Sequence, residues 1–160
     1  MRDDQFERLY RDEAQRLFAF LAYRTGDRAL AEDLLADAFE RALRARRRFD
    51  PRRGAARTWL YSIALNLLRD HARRAAAEGR ALERAAAGVG AAAEPLAAVD
   101  ERDAVQRALA VLAPDEREAI ALRFGAELSV PEIARLLDVP LTTAEGRVYR
   151  ALRKLRPHLS

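Results

Sequence analysis

The side chains best suited to chemistry in this sequence are arginines, and their crowding points to phosphate rather than to bond-breaking. Arg41, Arg44, Arg46, Arg47, Arg48, Arg52, Arg53 and Arg57 fall within one short stretch. Arg147, Arg150, Arg153, Lys154 and Arg156 follow one another with no acid between them. Guanidinium forks match phosphate geometry, and basic clusters are the usual footprint of nucleic-acid contact. On charge alone, a solvated helix face in an arginine-rich chain explains them equally well. The net charge is +4, and residues 1–79 hold that excess while residues 100–160 balance.

Other chemistry is poorly supplied. Without cysteine there is no disulfide and no thiolate metal site. His71 and His158 are isolated from each other and make poor zinc ligands. No glycine-rich phosphate loop and no Ser/His/Asp set appears, so neither a cofactor nor a catalytic activity is expected. No apolar run approaches the ~18 residues of a membrane span, so no membrane insertion is expected. The start, MRDDQFERLYRDE, is charged and lacks the apolar core of a leader peptide. A cytoplasmic protein is the expectation.

The elements that must position these residues read as helices throughout. Phe6, Leu9, Tyr10, Leu17, Phe18 and Leu21 recur at helical spacing and predict a first helix ending near Gly26. Asp27 can cap a second helix with an apolar stripe of Leu30, Leu34, Leu35, Ala38, Phe39, Ala42 and Leu43. FDPRRGA, residues 49–55, breaks the pattern, and a third helix runs from about Arg57 to Arg74. The stretch 75–99 is mostly alanine with Gly79, Gly88, Gly90 and Pro95. It reads as a linker, with alanine favouring some extension of the third helix. Beyond Asp100, Val105, Leu109 and Leu112 mark one helix, and Pro114 restarts another that carries Ile120, Leu122 and Phe124. The expected fold is all-α: two small helical domains joined by a flexible linker.

Near the C-terminus the pattern fits a helix-turn-helix. Ser129 and Pro131 open a short helix with Ile133, Ala134 and Leu137 on one face. A turn at Asp138-Val139-Pro140 leads into a longer helix from about Leu141 to Leu155. Asp138 stands where such turns usually have glycine, and aspartate tolerates the left-handed conformation better than most residues. A plain αα-hairpin would also match. If the second helix enters a major groove, Thr142, Thr143, Glu145, Arg147, Tyr149 and Arg150 face bases, while Arg153 and Lys154 suit phosphates.

Two further constellations share helical spacing. Asp33, Asp37 and Glu40 form an acidic stripe opposite the apolar one, which a solvated face would also explain. Asn66, Asp70 and Arg73 share a face beside Arg69, and a mid-helix asparagine is not a favoured helix former. That face is either ordinary polar surface or a contact surface. Trp59 either packs on the core or stacks on a base, and packing is the better expectation.

Along nearly its whole length the chain resembles the extracytoplasmic-function sigma factors, which keep regions two and four of the sigma-70 family. FERLYRDEAQRLFAFLAYRTGDRALAEDLLADAFERAL (residues 6–43) is similar to the start of region two, and FDPRRGAARTWLYSIALNLLRDHARR (residues 49–74) to its promoter-reading half. LAPDEREAIALRFGAELSVPEIARLLDVPLTTAEGRVYRALRKLR (residues 112–156) is similar to region four. The resemblance implies region two at 1–75, a linker at 76–99 and region four at 100–160. It implies core RNA polymerase as partner, met through the β′ clamp coiled coil by region two and the β flap by region four. Promoter DNA and an anti-sigma factor are the other implied partners. Asp33, Leu34, Asp37 and Glu40 would then meet polymerase. Arg52, Arg53, Arg57, Asn66, Arg69, Asp70 and Arg73 would meet the minus-ten element, with the 49–57 loop shaping a pocket for an extruded base. The helix-turn-helix set would read the minus-thirty-five element.

The recognition helix departs from the family pattern. Where Thr-Val-Lys-Ser-Arg is usual, this chain has Thr143-Ala144-Glu145-Gly146-Arg147. Glu145 would be repelled by the DNA backbone unless it accepts from a cytosine amino group. The rival function is a stand-alone helix-turn-helix regulator, which leaves the acidic stripe, Asn66 and the arginine loop unexplained.

Overall fold

The computed structural model describes residues 1–85 and 101–158, and among these every regular element is helical. Seven α-helices follow one another: α1 (Asp3–Thr25), α2 (Arg28–Ala45), α3 (Ala56–Ala85), α4 (Glu101–Ala110), α5 (Pro114–Ile120), α6 (Val130–Leu137) and α7 (Leu141–Leu155). Short 3₁₀ turns follow α2 and α7, and a π-helical turn, Ala121–Gly125, follows α5.

Local chemistry sets the ends. Gly26 closes α1 in the left-handed region, and its N–H donates to the Ala22 carbonyl. Asp27 caps α2 by accepting the Leu30 N–H at 3.1 Å. Ser129 and Glu132 form a reciprocal capping box at the start of α6. Asp138 takes the left-handed turn conformation at φ 55°, as its place in the turn requires.

Helices α1, α2 and α3 pack around Leu17, Phe20, Leu21, Ala38, Phe39, Leu60, Ala64 and Leu68. Burying each large side chain contributes roughly 1.5–3 kcal/mol, which is what holds three amphipathic helices together. A smaller core joins α4, α5 and α7 through Leu109, Leu112, Ile120, Val148, Ala151 and Leu155. The two helical units also share apolar packing. Ala121, Leu122, Leu128, Ile133 and Ala144 belong to the same buried cluster as Leu17 and Phe20.

The structure departs from the sequence reading in several places. Helix α3 continues to Ala85, well beyond Arg74 and into the stretch expected as linker, because alanine favours helix there. The rest of that stretch, 86–99, lies outside the described residues. Phe124, expected on the helix restarted by Pro114, falls in the π-helical turn after Ile120 and is 55 % exposed, its ring against the Arg123 guanidinium. Leu43, Tyr10 and Val105 also sit at the exposed edges of their stripes. Trp59 packs on the core and against Phe49, with ring centroids 5.2 Å apart.

Candidate nucleic-acid and protein-docking surfaces

The acidic stripe is built by the turn-to-turn spacing of α2. Asp33, Asp37 and Glu40 are all exposed. Glu40 pairs with Arg44 at 2.6 Å, whereas Asp33 and Asp37 have no ion pair among the described residues. Leu34 lies on the other side of the helix, 5 % exposed within the core, because it belongs to the apolar stripe. It supports the acidic face from beneath and does not form part of it.

The arginine loop follows α2 directly. The Asp50 carboxylate accepts the Arg52 N–H at 3.0 Å and the Arg52 Nε at 3.3 Å, while the Asp50 carbonyl accepts the Arg53 N–H. This Asp-nucleated turn holds Arg52 and Arg53 outward in solvent. One face of α3 continues the surface. Asn66 is exposed, Arg69 stands beside it, and Asp70 pairs with Arg73 one turn later.

Arg57 does not join that surface. Only 22 % of its side chain is exposed, and it bridges the two helical units. Its Nε lies 3.1 Å from Glu13 Oε1, its Nη1 3.5 Å from Glu132 Oε2, and its Nη2 donates to the Ala126 carbonyl at 2.6 Å. The Tyr61 hydroxyl donates to Glu13 from the third side at 3.4 Å. Burial pushes the Glu13 carboxyl above the ordinary range, against the pull of Arg57 and Arg16. Burial also raises the Tyr61 hydroxyl, so it stays protonated and can donate.

The same junction is tight at Gly125. A Cβ there would lie 3.1 Å from the Phe20 amide nitrogen and 3.2 Å from its Cα. Arg16 to Glu127 at 3.0 Å, Arg24 to Glu118 at 3.9 Å and Arg69 to Glu118 at 4.0 Å also cross the seam. Helical spacing alone does not single out Glu13 or Glu132, and it marks Gly125 only as a helix end and leaves Tyr61 ambiguous between core and contact surface. One signal was present: Glu13 falls between Leu9 and Leu17 on the apolar stripe of α1, and a carboxylate there demands a partner.

The helix-turn-helix forms as its spacing implies. Ala134 and Ala144 are buried where α6 and α7 cross, and Val139 N–H closes the turn onto the Ala134 carbonyl. Thr142, Glu145, Tyr149, Arg150, Arg153 and Lys154 are exposed on α7, while Thr143 and Arg147 are half-buried. Most of the α7 cations already have partners. Arg147 lies 3.6 Å from Asp115, Arg150 3.8 Å from Glu116, and Lys154 2.7 Å from Glu116. Arg153 stacks over the Tyr149 ring.

Glu116 is the anchor of this group. It is 4 % exposed and accepts the Ala113 N–H at 2.9 Å. The Lys154 hydrogen bond, then that of Ala113, holds its carboxyl below the ordinary range. Neither Asp115 nor Glu116 was singled out from sequence, where both read as first-turn acids of α5.

Two family models match this chain in order: sigma-70 region 2 over residues 9–78 and sigma-70 region 4 over residues 102–155. The RNA polymerase sigma factor CarQ of Myxococcus xanthus is 35 % identical across 96 % of this chain and 88 % of its own length. The ECF RNA polymerase sigma factor BldN of Streptomyces coelicolor is 32 % identical, and the match spans 96 % of this chain but 61 % of that relative. Among solved structures, CnrH in complex with the cytosolic domain of CnrY aligns with a TM-score of 0.72 at 27 % identity, over 99 % of this chain and 89 % of that one. The sigma factor RpoE bound to the anti-sigma factor NepR from Bartonella quintana shares the fold, with a TM-score of 0.77 at 24 % identity over 98 % of this chain and 97 % of that one. With both regions present in order on the helices just described, the chain belongs to the extracytoplasmic-function group of sigma-70-type RNA polymerase sigma factors.

Proposed function

We propose that this sigma factor docks on core RNA polymerase through the acidic face of α2, captures and opens the minus-ten element with the arginine loop and the Asn66 face of α3, and reads the minus-thirty-five element with α7. The observation that carries this reading is the N-terminal unit itself. One three-helix body presents an uncommitted acidic face at Asp33 and Asp37 and an exposed polar and basic face at Arg52, Arg53 and Asn66.

Division of labour follows from the chemistry. Acids on α2 complement a basic partner such as the β′ clamp coiled coil and raise the on-rate more than the affinity. Extruding a base costs about a few kcal/mol, offset by stacking and by hydrogen bonds to its Watson–Crick edge. Asn66 supplies both a donor and an acceptor for that edge, and Arg52 and Arg53 neutralise the phosphates of the opened strand. The C-terminal unit meets the β flap while α7 lies in the duplex major groove. The domains are 1–75, 76–99 and 100–160. The chain acts by binding, in the cytoplasm and without catalysis. Its likeness to CnrH, solved in complex with the cytosolic domain of CnrY, supports a protein partner besides polymerase, and we take that partner to be an anti-sigma factor.

The test is co-elution with core polymerase on a sizing column. The wild type co-elutes, and a D33K/D37K/E40K variant with unchanged helical circular dichroism loses at least tenfold in affinity. Equal binding by both proteins overturns the docking assignment.

A further inference from the structure

We propose that Gly146 is the specificity-determining position of α7, because its missing side chain seats the Arg150 guanidinium over the outward face of the helix. This rests on the reading of α7 as the minus-thirty-five reader. The buried side of α7 is made by Ala144, Val148, Ala151 and Leu155. At 3.6 residues per turn the opposite side is centred on Gly146, with Thr142, Arg150 and Arg153 around it.

A Cβ built at Gly146 would lie 3.1 Å from Arg150 Nη1, 3.7 Å from its Cζ and 3.8 Å from Nη2. A side chain at 146 would begin in tight contact with the guanidinium, which would have to give way by a few tenths of an ångström. A helical side chain leans toward the N-terminus, so Arg150 reaches back over residue i−4 without strain. The other edge of the group is held. Arg150 Nε faces Glu116 Oε2 at 3.8 Å, and Glu116 is itself buried and tied to Ala113 and Lys154. The Nε side thus faces the Glu116 carboxylate of α5, while the two Nη groups lie against Gly146.

That end of a recognition helix meets base edges, and a guanidinium fork matches the O6 and N7 acceptors of guanine. Glycine is a poor helix former, so its presence mid-helix lowers stability relative to alanine. Here the loss of a side chain moves a cation from i+4 into the reading position, beside an acidic Glu145 where the family pattern has lysine.

The experiment is run-off transcription by the full chain with core polymerase on promoters randomised over the minus-thirty-five element and constant elsewhere. Wild type, G146A, R150A and the double variant are compared. The wild type enriches guanine at one position. R150A and G146A each lower that preference by roughly tenfold, and the double variant falls no further than R150A. G146A meanwhile raises the melting temperature by roughly 3 °C, so its loss of selectivity is not a loss of fold. A G146A or R150A protein that keeps the wild-type preference overturns the proposal, as does a G146A that loses it together with a lower melting temperature. A wild type without any preference over the element overturns the proposal together with the reading of α7 on which it rests.

Discussion

In the N-terminal half, Arg52 and Arg53 stand on an exposed loop whose only acid, Asp50, is spent on holding the turn. In the C-terminal half, Arg147, Arg150 and Lys154 lean back onto Asp115 and Glu116 of α5. Both halves present arginines, yet their electrostatics differ. The loop offers cations to phosphate without first breaking a contact between helices, so it suits a melted strand whose path varies. The cations of α7 are held in place by a neighbouring helix, which lowers their pull on the backbone and fixes their direction. Donors held in one direction suit base edges, which carry the sequence, more than phosphates, which only position the protein. The seam between the halves follows a third pattern, in which Arg57 is largely buried and bridges Glu13 and Glu132.

The largest expected effect breaks the seam on which the comparison rests. Gly125→Ala drives a methyl group into the Phe20 backbone and costs about 2 kcal/mol. Urea unfolding should show that loss, and small-angle scattering should show an expanded particle. An unchanged midpoint would mean that the close approach is not maintained in solution.

Next comes the anchor of the C-terminal cations. Glu116 is held below its ordinary value of 4.5, chiefly by Lys154. A carboxyl depressed in the folded state contributes stability that is full above its unfolded value and is lost as pH falls through its folded value. Glu116→Gln should therefore cost about 1 kcal/mol at neutral pH and flatten the acid limb below about pH 4.5. Thermal melts from pH 7 to pH 3 decide this, and parallel curves for the two proteins would remove Glu116 as the anchor.

Glu145→Lys sharpens the contrast from the other side. Glu145 is exposed and has no ion pair among the described residues, so the change adds an untethered cation to α7. DNA binding should strengthen, and its dependence on log salt should steepen by about 0.9. Fluorescence anisotropy across a salt series would show it. An unaltered slope would place residue 145 away from phosphate. The smallest effect is at the turn, where Asp138→Gly relieves a left-handed aspartate and should add about 0.5 kcal/mol in a urea melt with binding unchanged.

How much of this was legible in the sequence depends on whether the signal was local. The Gly26 stop, the Asp27 and Ser129 caps and the left-handed Asp138 follow from spacing and end chemistry, and each stands where the pattern puts it. The acidic stripe and the exposed Asn66 face follow from helical periodicity alone. The partners of Arg57 and of the α7 cations do not, because Glu13, Glu132, Asp115 and Glu116 come from other helices, and only tertiary packing brings them close. The end of α5 at Ile120 is not legible, because no local residue type announces the π-helical turn that takes up Leu122 and Phe124. Leu34 was grouped with the acids beside it in sequence, although one step along a helix turns a side chain by ~100° and carries it to the core.

The central claim, that this chain directs initiation through a polymerase-docking face and separate DNA-contacting faces, is tested most directly by run-off transcription with purified core polymerase. On a promoter selected by the wild type, core plus this chain should give a transcript of one defined length, and core alone should give none. Replacing Asn66 by Ala should reduce open-complex formation by tenfold or more while core binding persists. No chain-dependent transcript, or an N66A protein that opens the promoter as well as the wild type, would contradict the account.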